Sequence, residues 1–250
     1  MSDAQPLHNK IVLITGGAVR VGAAITRRLH RAGATVVFSV RQSRSAGEAL
    51  LAELNAQRAN SAYLLQADLH DMAQVTALVD QTLARCGRLD ILINNASTYY
   101  PTPVGEITEA HWQDLMGTNA KAPLFLSQAA TPALRASHGC IINLVDIHAD
   151  RPNANHPVYG MAKAANAMLV KSLARDLAPE VRVNGVAPGA VLWPEDYLAD
   201  DAKQAILTRI PMGRPGTPED IAETVLFLAT GSGYLTGQII AVDGGRSVQQ

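Results

Sequence analysis

Short apolar runs rich in β-branched residues alternate along this chain with longer stretches of helical spacing. The runs are Lys10 to Thr15, Thr35 to Val40, Ala62 to Gln66, Leu89 to Asn95, Cys140 to Val145, Val181 to Val186 and Gln238 to Val242. Their length and β-branching predict buried strands. Between them, apolar spacing predicts helices over Ala23 to Ala32 (stopped by Gly33), about 45–58, about 72–86, about 109–136 with a break near Pro123, 157–178, about 200–208, and 218–229. The rest of 190–215 reads as irregular. Strands that alternate with helices make a parallel sheet, here of about seven strands, with helices on both faces. No Pro/Gly/Ser-rich linker interrupts the pattern, so residues 1–250 read as a single doubly wound α/β domain.

The strands end on polar or glycine-bearing sequence: Thr15-Gly16-Gly17, Ser39-Val40-Arg41, Asp68-Leu69, Asn94-Asn95-Ala96-Ser97, Val145-Asp146 and Pro188-Gly189. In a doubly wound sheet, ligands bind beyond these carboxyl ends. The first strand, the glycine turn Gly16 to Gly22, the following helix and the second strand occupy about thirty residues. This is a Rossmann unit, in which a dinucleotide pyrophosphate rests on a helix N-terminus.

Composition narrows the functions. The 250 residues are 48% hydrophobic and carry a net charge of -1, which supports a sizeable core and gives no reason to expect nucleic acid or an anionic membrane as partner. No apolar run is long enough to span a bilayer, and the N-terminus lacks the apolar segment of a signal peptide, so a cytoplasmic setting is expected. Cys86 and Cys140 form no disulfide framework, and Cys140 reads as a small core residue. The seven histidines show no metal-ligand spacing. His148 beside Asp146 and Asp150 reads as loop polarity, and no metal site is expected.

The ordered set Thr15-Gly16-x-x-x-Arg20-x-Gly22, Asp68-Leu69, Asn94-Asn95-Ala96, Asn119, Tyr159-x-x-x-Lys163, Pro188-Gly189 and Asp243-Gly244-Gly245 resembles the short-chain dehydrogenase/reductase family over essentially the whole chain. Three departures resemble its pteridine reductase branch. Arg20 replaces the middle glycine of the nucleotide turn. Ser97 follows Asn95-Ala96, with Tyr99 close behind. Asp146 stands where a serine usually lies, thirteen residues before the tyrosine. The resemblance implies reduction of a dihydropterin such as dihydrobiopterin or dihydromonapterin, or of dihydrofolate, by NADPH, and a homotetramer.

Each residue has a structural reading beside its functional one. Gly16, Val21 and Gly22 form the turn, with the glycines allowing close approach of a pyrophosphate; Arg20 meets the phosphates or the substrate, or is merely solvated. Ser39, Arg41, Gln42 and Ser43 include no acid to bond a ribose 2′-hydroxyl and suit a 2′-phosphate, which selects NADPH. Asp68 and Leu69 would hold adenine, although Asp68 could be a helix cap. Asn95 and Ala96 would line the nicotinamide ribose, and Pro188 and Gly189 complete the cofactor set. Asn119 sits mid-helix, an unfavourable place for an asparagine without a task; the resemblance implies that it joins the catalytic set by kinking the helix and holding a water that links to Lys163, and a helix-surface asparagine is the rival reading.

Tyr159 and Lys163 are four apart and share a helix face. Lys163 would bond the ribose and lower the phenol pKa; Asp146 would raise it again, leaving Tyr159 a protonated donor. Tyr99 suits stacking on a flat heteroaromatic ring. Ser97, Gly189, Leu192 and Trp193 complete the expected substrate wall. Two rival readings stand. One is a carbonyl or 3-oxoacyl reductase of the same fold. The other is a sensor or scaffold that binds NADPH without turnover. The helices around 109–136 and 157–178 and the last strand are expected subunit contacts, and Arg246 could reach a neighbouring pocket or be a free basic tail.

Overall fold

The computed structural model describes residues 5–191, 200–231 and 233–248. Seven strands form one wholly parallel sheet: β1 (Ile11–Thr15), β2 (Thr35–Val40), β3 (Ala62–Gln66), β4 (Ile91–Asn94), β5 (Cys140–Leu144), β6 (Arg182–Pro188) and β7 (Ile239–Val242). Their order across the sheet is β3-β2-β1-β4-β5-β6-β7, so the chain reverses direction of winding between β1 and β4. Among the described residues, eight α-helices connect or flank the strands: α1 (Arg20–Arg31), α2 (Arg44–Gln57), α3 (Met72–Cys86), α4 (Glu109–Met116), α5 (Ala122–Ser137), α6 (Pro157–Leu177), α7 (Asp200–Leu207) and α8 (Pro218–Thr230).

Alternate residues of the central strands feed two cores. Val12, Ile14, Phe38 and Ile93 pack with Ile25 and Leu29 of α1, Leu50 and Leu54 of α2, and Ile221 and Val225 of α8. Leu13, Val37, Leu92 and Ile141 pack on the other face with Leu78 of α3, Leu126 and Leu134 of α5, and Val170 of α6. Burial on both faces is why these strands read as continuous apolar runs without alternation. At the amino ends, the buried Asp90 carboxylate joins β1 to β4. It accepts from the Ile11 amide (2.9 Å), Lys10 Nζ (3.0 Å), Arg88 Nε (2.9 Å) and Arg88 Nη2 (2.6 Å). Burial alone raises its pKa, but these donors outweigh burial and the net shift is downward.

The helix expected over 109–136 divides in two. Gly117–Lys121 forms a π-helical turn between α4 and α5. Asn119 Nδ2 donates to the Leu115 carbonyl at 3.0 Å, the group its own backbone N–H would bond in an α-helix. Pro123 has no N–H to offer the Asn119 carbonyl four residues back, which favours the same break. Elsewhere the main elements lie within a few residues of expectation. The first helix begins at Arg20 rather than Ala23, and the sixth strand runs on to Pro188.

Candidate active site

A cavity of about 370 Å³ opens at the carboxyl ends of β1 to β4, beside the winding reversal. Its walls include Gly16, Arg20, Val21, Gly22, Ser39, Arg41, Gln42, Ser43, Asp68, Leu69, Asn95, Ala96 and Ser97. The turn after β1 explains its glycines. Gly16 has φ +64°, and a Cβ on Gly22 would lie 2.0 Å from the Gly16 carbonyl oxygen. α1 therefore starts hard against the strand end, with no side-chain cap and no acidic residue in its first turn. Its uncapped N–H groups and positive dipole end suit an anion.

Asn95 turns inward. Its Nδ2 donates to the Thr15 and Gly16 carbonyls at 2.8 and 3.0 Å, while Thr15 Oγ1 accepts from the Asn95 and Ala96 amides. The side-chain amide thus braces the glycine turn, and the residue's contribution to the cavity wall lies in what remains of its surface.

Asp68 is not the cap of α3. That task belongs to Asp71, whose Oδ1 accepts from the Ala73 and Gln74 amides. Asp68 instead turns its own loop by accepting from the His70 amide at 3.0 Å and stays on the cavity wall. After β2, the wall offers Arg41, Gln42 and Ser43 with no carboxylate among them. Gln66 donates to the Arg41 carbonyl at 3.0 Å and holds this loop against β3.

Beyond the cavity, β5, α4, α5 and α6 bring four further residues together. The Tyr159 hydroxyl donates to Asp146 Oδ2 at 2.7 Å. The other oxygen, Oδ1, accepts from the His148 amide at 2.8 Å, so one carboxylate both caps the turn after β5 and meets the phenol. Lys163 is 2% exposed; its Nζ donates to the Leu144 carbonyl at 3.0 Å and lies 5.6 Å from the Tyr159 ring centroid. Asn119, 1% exposed, accepts from Ser97 Oγ at 2.6 Å and donates to the Thr98 carbonyl at 3.0 Å. It is no surface asparagine.

Electrostatics follow from this packing. Burial raises the Tyr159 pKa well above 10, and the Asp146 charge and hydrogen bond raise it further, with Ser97 opposing weakly. The expected cancellation by Lys163 does not arise: burial and Asp146 prevail. Lys163 itself is lowered to about 8 by burial, against the pull of Asp146.

Tyr99, 55% exposed, stands edge-on to Tyr159 with ring centroids 4.8 Å apart. One of its faces lies against the His156 imidazole at 4.6 Å and 11°, and its hydroxyl accepts from Asn153 Nδ2 at 3.0 Å. Neither His156 nor Asn153 was marked by sequence reasoning, because nothing local announces a contact across 54 residues. Asn143 and Asn166 were missed as well. Asn94 Nδ2 donates to Asn143 Oδ1 at 2.8 Å, and Asn143 Nδ2 donates to Asn166 Oδ1 at 2.7 Å, a buried amide row that ties β4 and β5 to α6. An asparagine inside an apolar strand was the available signal.

Pro188 and Gly189 do not line the cavity. The Gly189 amide donates to the Val242 carbonyl at 3.0 Å, and a Cβ there would lie 2.6 Å from Asp243 Cβ. Asp243 in turn receives the Gly245 and Ser247 amides, so this glycine is required by packing at the β6–β7 ends. Leu192 and Trp193 lie outside the described residues.

The family profile of enoyl-(acyl carrier protein) reductases matches residues 17–247. Pteridine reductase 1 of Leishmania tarentolae is 35% identical, over 95% of this chain and 96% of that protein. The chain belongs to the short-chain dehydrogenase/reductase family of oxidoreductases. A 3-oxoacyl-(acyl-carrier-protein) reductase of Staphylococcus aureus (strain Mu50) is equally near, 36% identical over 94% of this chain and 97% of that one. The crystal structure of a blue fluorescent protein from a metagenomic library, in complex with NADPH, superposes with a TM-score of 0.91 at 33% identity, covering 96% of this chain and 99% of that one.

Family membership gives the departures their physical meaning. Arg20 adopts φ +51°, a left-handed conformation that explains why the position is usually glycine. An arginine there costs about 1–2 kcal/mol of backbone strain. Asp146 puts a full charge where the family's serine offers a neutral hydroxyl. That charge is one reason the phenol of this short-chain reductase is held protonated.

Proposed function

We propose that the protein is an NADPH-dependent pteridine reductase that reduces a dihydropterin such as dihydrobiopterin or dihydromonapterin, with dihydrofolate as a second substrate. Residues 1–250 would act as one cofactor- and substrate-binding unit. The fit of the cofactor rests on the cavity itself. The uncapped start of α1 and the Gly22 approach suit the pyrophosphate. Asp68 and Leu69 suit adenine. Arg41 with Ser39, Gln42 and Ser43, and no carboxylate, suits a 2′-phosphate. NADPH, when bound, supplies the hydride.

The chain's own residues would do the rest. Tyr159, held protonated, gives its proton to the substrate, and Asp146 accepts from the phenol in the resting state and bonds the aminopyrimidine edge of the substrate or passes a proton inward from water. Lys163 holds the ribose and places a positive charge beside the developing phenolate. Tyr99 offers its face opposite His156 to a flat ring. Asn119 fixes Ser97 and the Thr98 backbone along the substrate side.

The observation that carries this reading is the Tyr159–Asp146 hydrogen bond at 2.7 Å with Tyr99 beside it. A simple ketone needs neither a carboxylate there nor an aromatic platform. The 3-oxoacyl reductase reading is the competitor, supported by relatives of equal identity. The test is NADPH oxidation measured with dihydrobiopterin, dihydromonapterin, dihydrofolate and an acetoacetyl thioester. Turnover of the pterins is expected; turnover of the thioester alone would overturn the proposal, and no turnover with NADPH bound would favour the sensor. A homotetramer is proposed as well. Leu124 and Phe125 of α5 and Met161 and Met168 of α6 are exposed apolar residues on the helices expected to meet a neighbour.

A further inference from the structure

His70 belongs to neither expected residue set, yet it joins the cofactor cavity to the π-turn. It follows Asp68 and Leu69, which line the cavity, and its backbone amide donates to Asp68 Oδ1 at 3.0 Å. Its ring leaves that wall and crosses to the α4–π-turn segment. There Nε2 lies 3.0 Å from Asp114 Oδ1 and 3.2 Å from Thr118 Oγ1. The ring also covers Gly117 closely: a Cβ on that glycine would sit 2.6 Å from His70 Nδ1. Any side chain at this first residue of the π-turn would have to push the imidazole off its resting place.

The far side of this contact leads to the reacting end. Thr118 lines the cavity and precedes Asn119, which holds Ser97 and Thr98. Tyr100, one residue beyond Tyr99, faces the Asp114 carboxylate; burial first and that carboxylate second push its hydroxyl up to about 12. Its ring packs with Leu115, Val158 and Tyr159. One imidazole thus touches the loop proposed for adenine, the turn that bears Asn119, and the acid that faces the substrate loop.

We propose that His70 is a positioning residue that clamps the π-turn to the cofactor wall through Asp114 and Thr118, so that Asn119 and the 97–100 loop are set in place for hydride acceptance by the substrate. The proposal rests on the reading of the cavity as the NADPH site. A donor at the Nε2 position is what the clamp requires; the ring's charge is not. His70→Gln keeps such a donor, and His70→Ala removes it.

The experiment measures NADPH affinity by fluorescence titration, then kcat and KM for whichever substrate the wild type turns over in the trial above. His70→Ala is expected to lower kcat about tenfold and to weaken NADPH by several fold, with substrate KM changed much less, because displacement of a positioned group falls on the reacting geometry. His70→Gln is expected to recover most of both, and the two variants should melt within a few degrees of each other. Wild-type kcat in His70→Ala, or equal impairment in His70→Ala and His70→Gln, would overturn the clamp. If His70→Ala does not fold, Thr118→Val removes one arm with little change of size; it should lose about threefold in kcat, on the order of one neutral hydrogen bond, and wild-type kcat there counts against the proposal. Wild-type protein that fails to bind NADPH would instead remove the cofactor reading on which the clamp rests.

Discussion

The Tyr159 hydroxyl and the Asp146 carboxylate are 2.7 Å apart, with the phenol donating. The carboxylate is fixed from behind by the His148 amide, so it cannot swing away without uncapping the turn after β5. Burial and this negative charge act in one direction and keep the phenol protonated across the physiological range. That favours proton donation in reduction over base catalysis in alcohol oxidation. Asp146→Asn keeps the shape and removes the charge. Its Tyr159 should titrate lower than in the wild type, and its kcat for the proposed pterin substrate should fall on the order of 10²-fold, the lower range for loss of an acid–base group. A pH–rate profile of both proteins checks this, and an unchanged kcat in Asp146→Asn would refute the role.

Lys163 is lowered to about 8 by burial. Its ammonium is therefore charged at pH 7 and loses its proton as pH rises through about 8, well below the ordinary value of 10.5. If the charge supports the phenolate, kcat should hold level below pH 7 and decline above about 8. Lys163→Met should be slower at every pH and should lack that alkaline limb. A wild-type profile that stays flat to pH 10 would separate Lys163 from the rate.

Arg41 lines the cavity after β2, where the stretch from Ser39 to Ser43 carries no carboxylate. Arg41→Ala should weaken NADPH by about 10–100-fold, the worth of a charge-assisted phosphate contact of roughly 1.5–3 kcal/mol, and change NADH little. The wild-type contact should also weaken with added salt. Titration with both cofactors decides it, and equal losses for the two would assign Arg41 another task.

His30 links pH to stability. It is 2% exposed, and its pKa falls from 6.5 to about 4 because of burial first and Arg58 second. Ser61 Oγ donates to the Arg58 carbonyl, so His30 Nε2 donates to Ser61 at 2.6 Å and the buried Nδ1 has no partner. Between pH 6.5 and 4 the unfolded chain binds a proton that the folded chain refuses. Stability therefore falls on acidification through that window, by about 3 kcal/mol over its full width. His30→Gln should flatten the urea midpoint between pH 6.5 and 4.5 relative to the wild type. Asp90, also depressed, acts in a lower window, below the ordinary carboxylate value of 3.8. A parallel fall in His30→Gln and wild type would assign the acid sensitivity elsewhere.

The order of strands and helices was legible because a sheet buried on both faces needs unbroken apolar runs, and because glycine turns and prolines mark where each element stops. Gly16, Gly22, Tyr159 and Lys163 were legible for a related reason: a tight turn, or two side chains one helical turn apart, is a local arrangement that a few neighbouring residues specify. Asp146 was legible from its place just past the end of β5 and from the resemblance, which has a serine there. Tertiary structure alone decided which carboxylate meets which donor. Asp71 rather than Asp68 caps α3, Asn95 turns into the glycine loop, His156 backs Tyr99, and His70 reaches Asp114 across 44 residues. Tertiary structure also decided the balance of charge at the phenol, where burial and Asp146 prevail over Lys163. Hydrogen-bond partners and desolvation depend on side chains from distant segments meeting in space, and a linear pattern carries the propensity of each segment without the meeting.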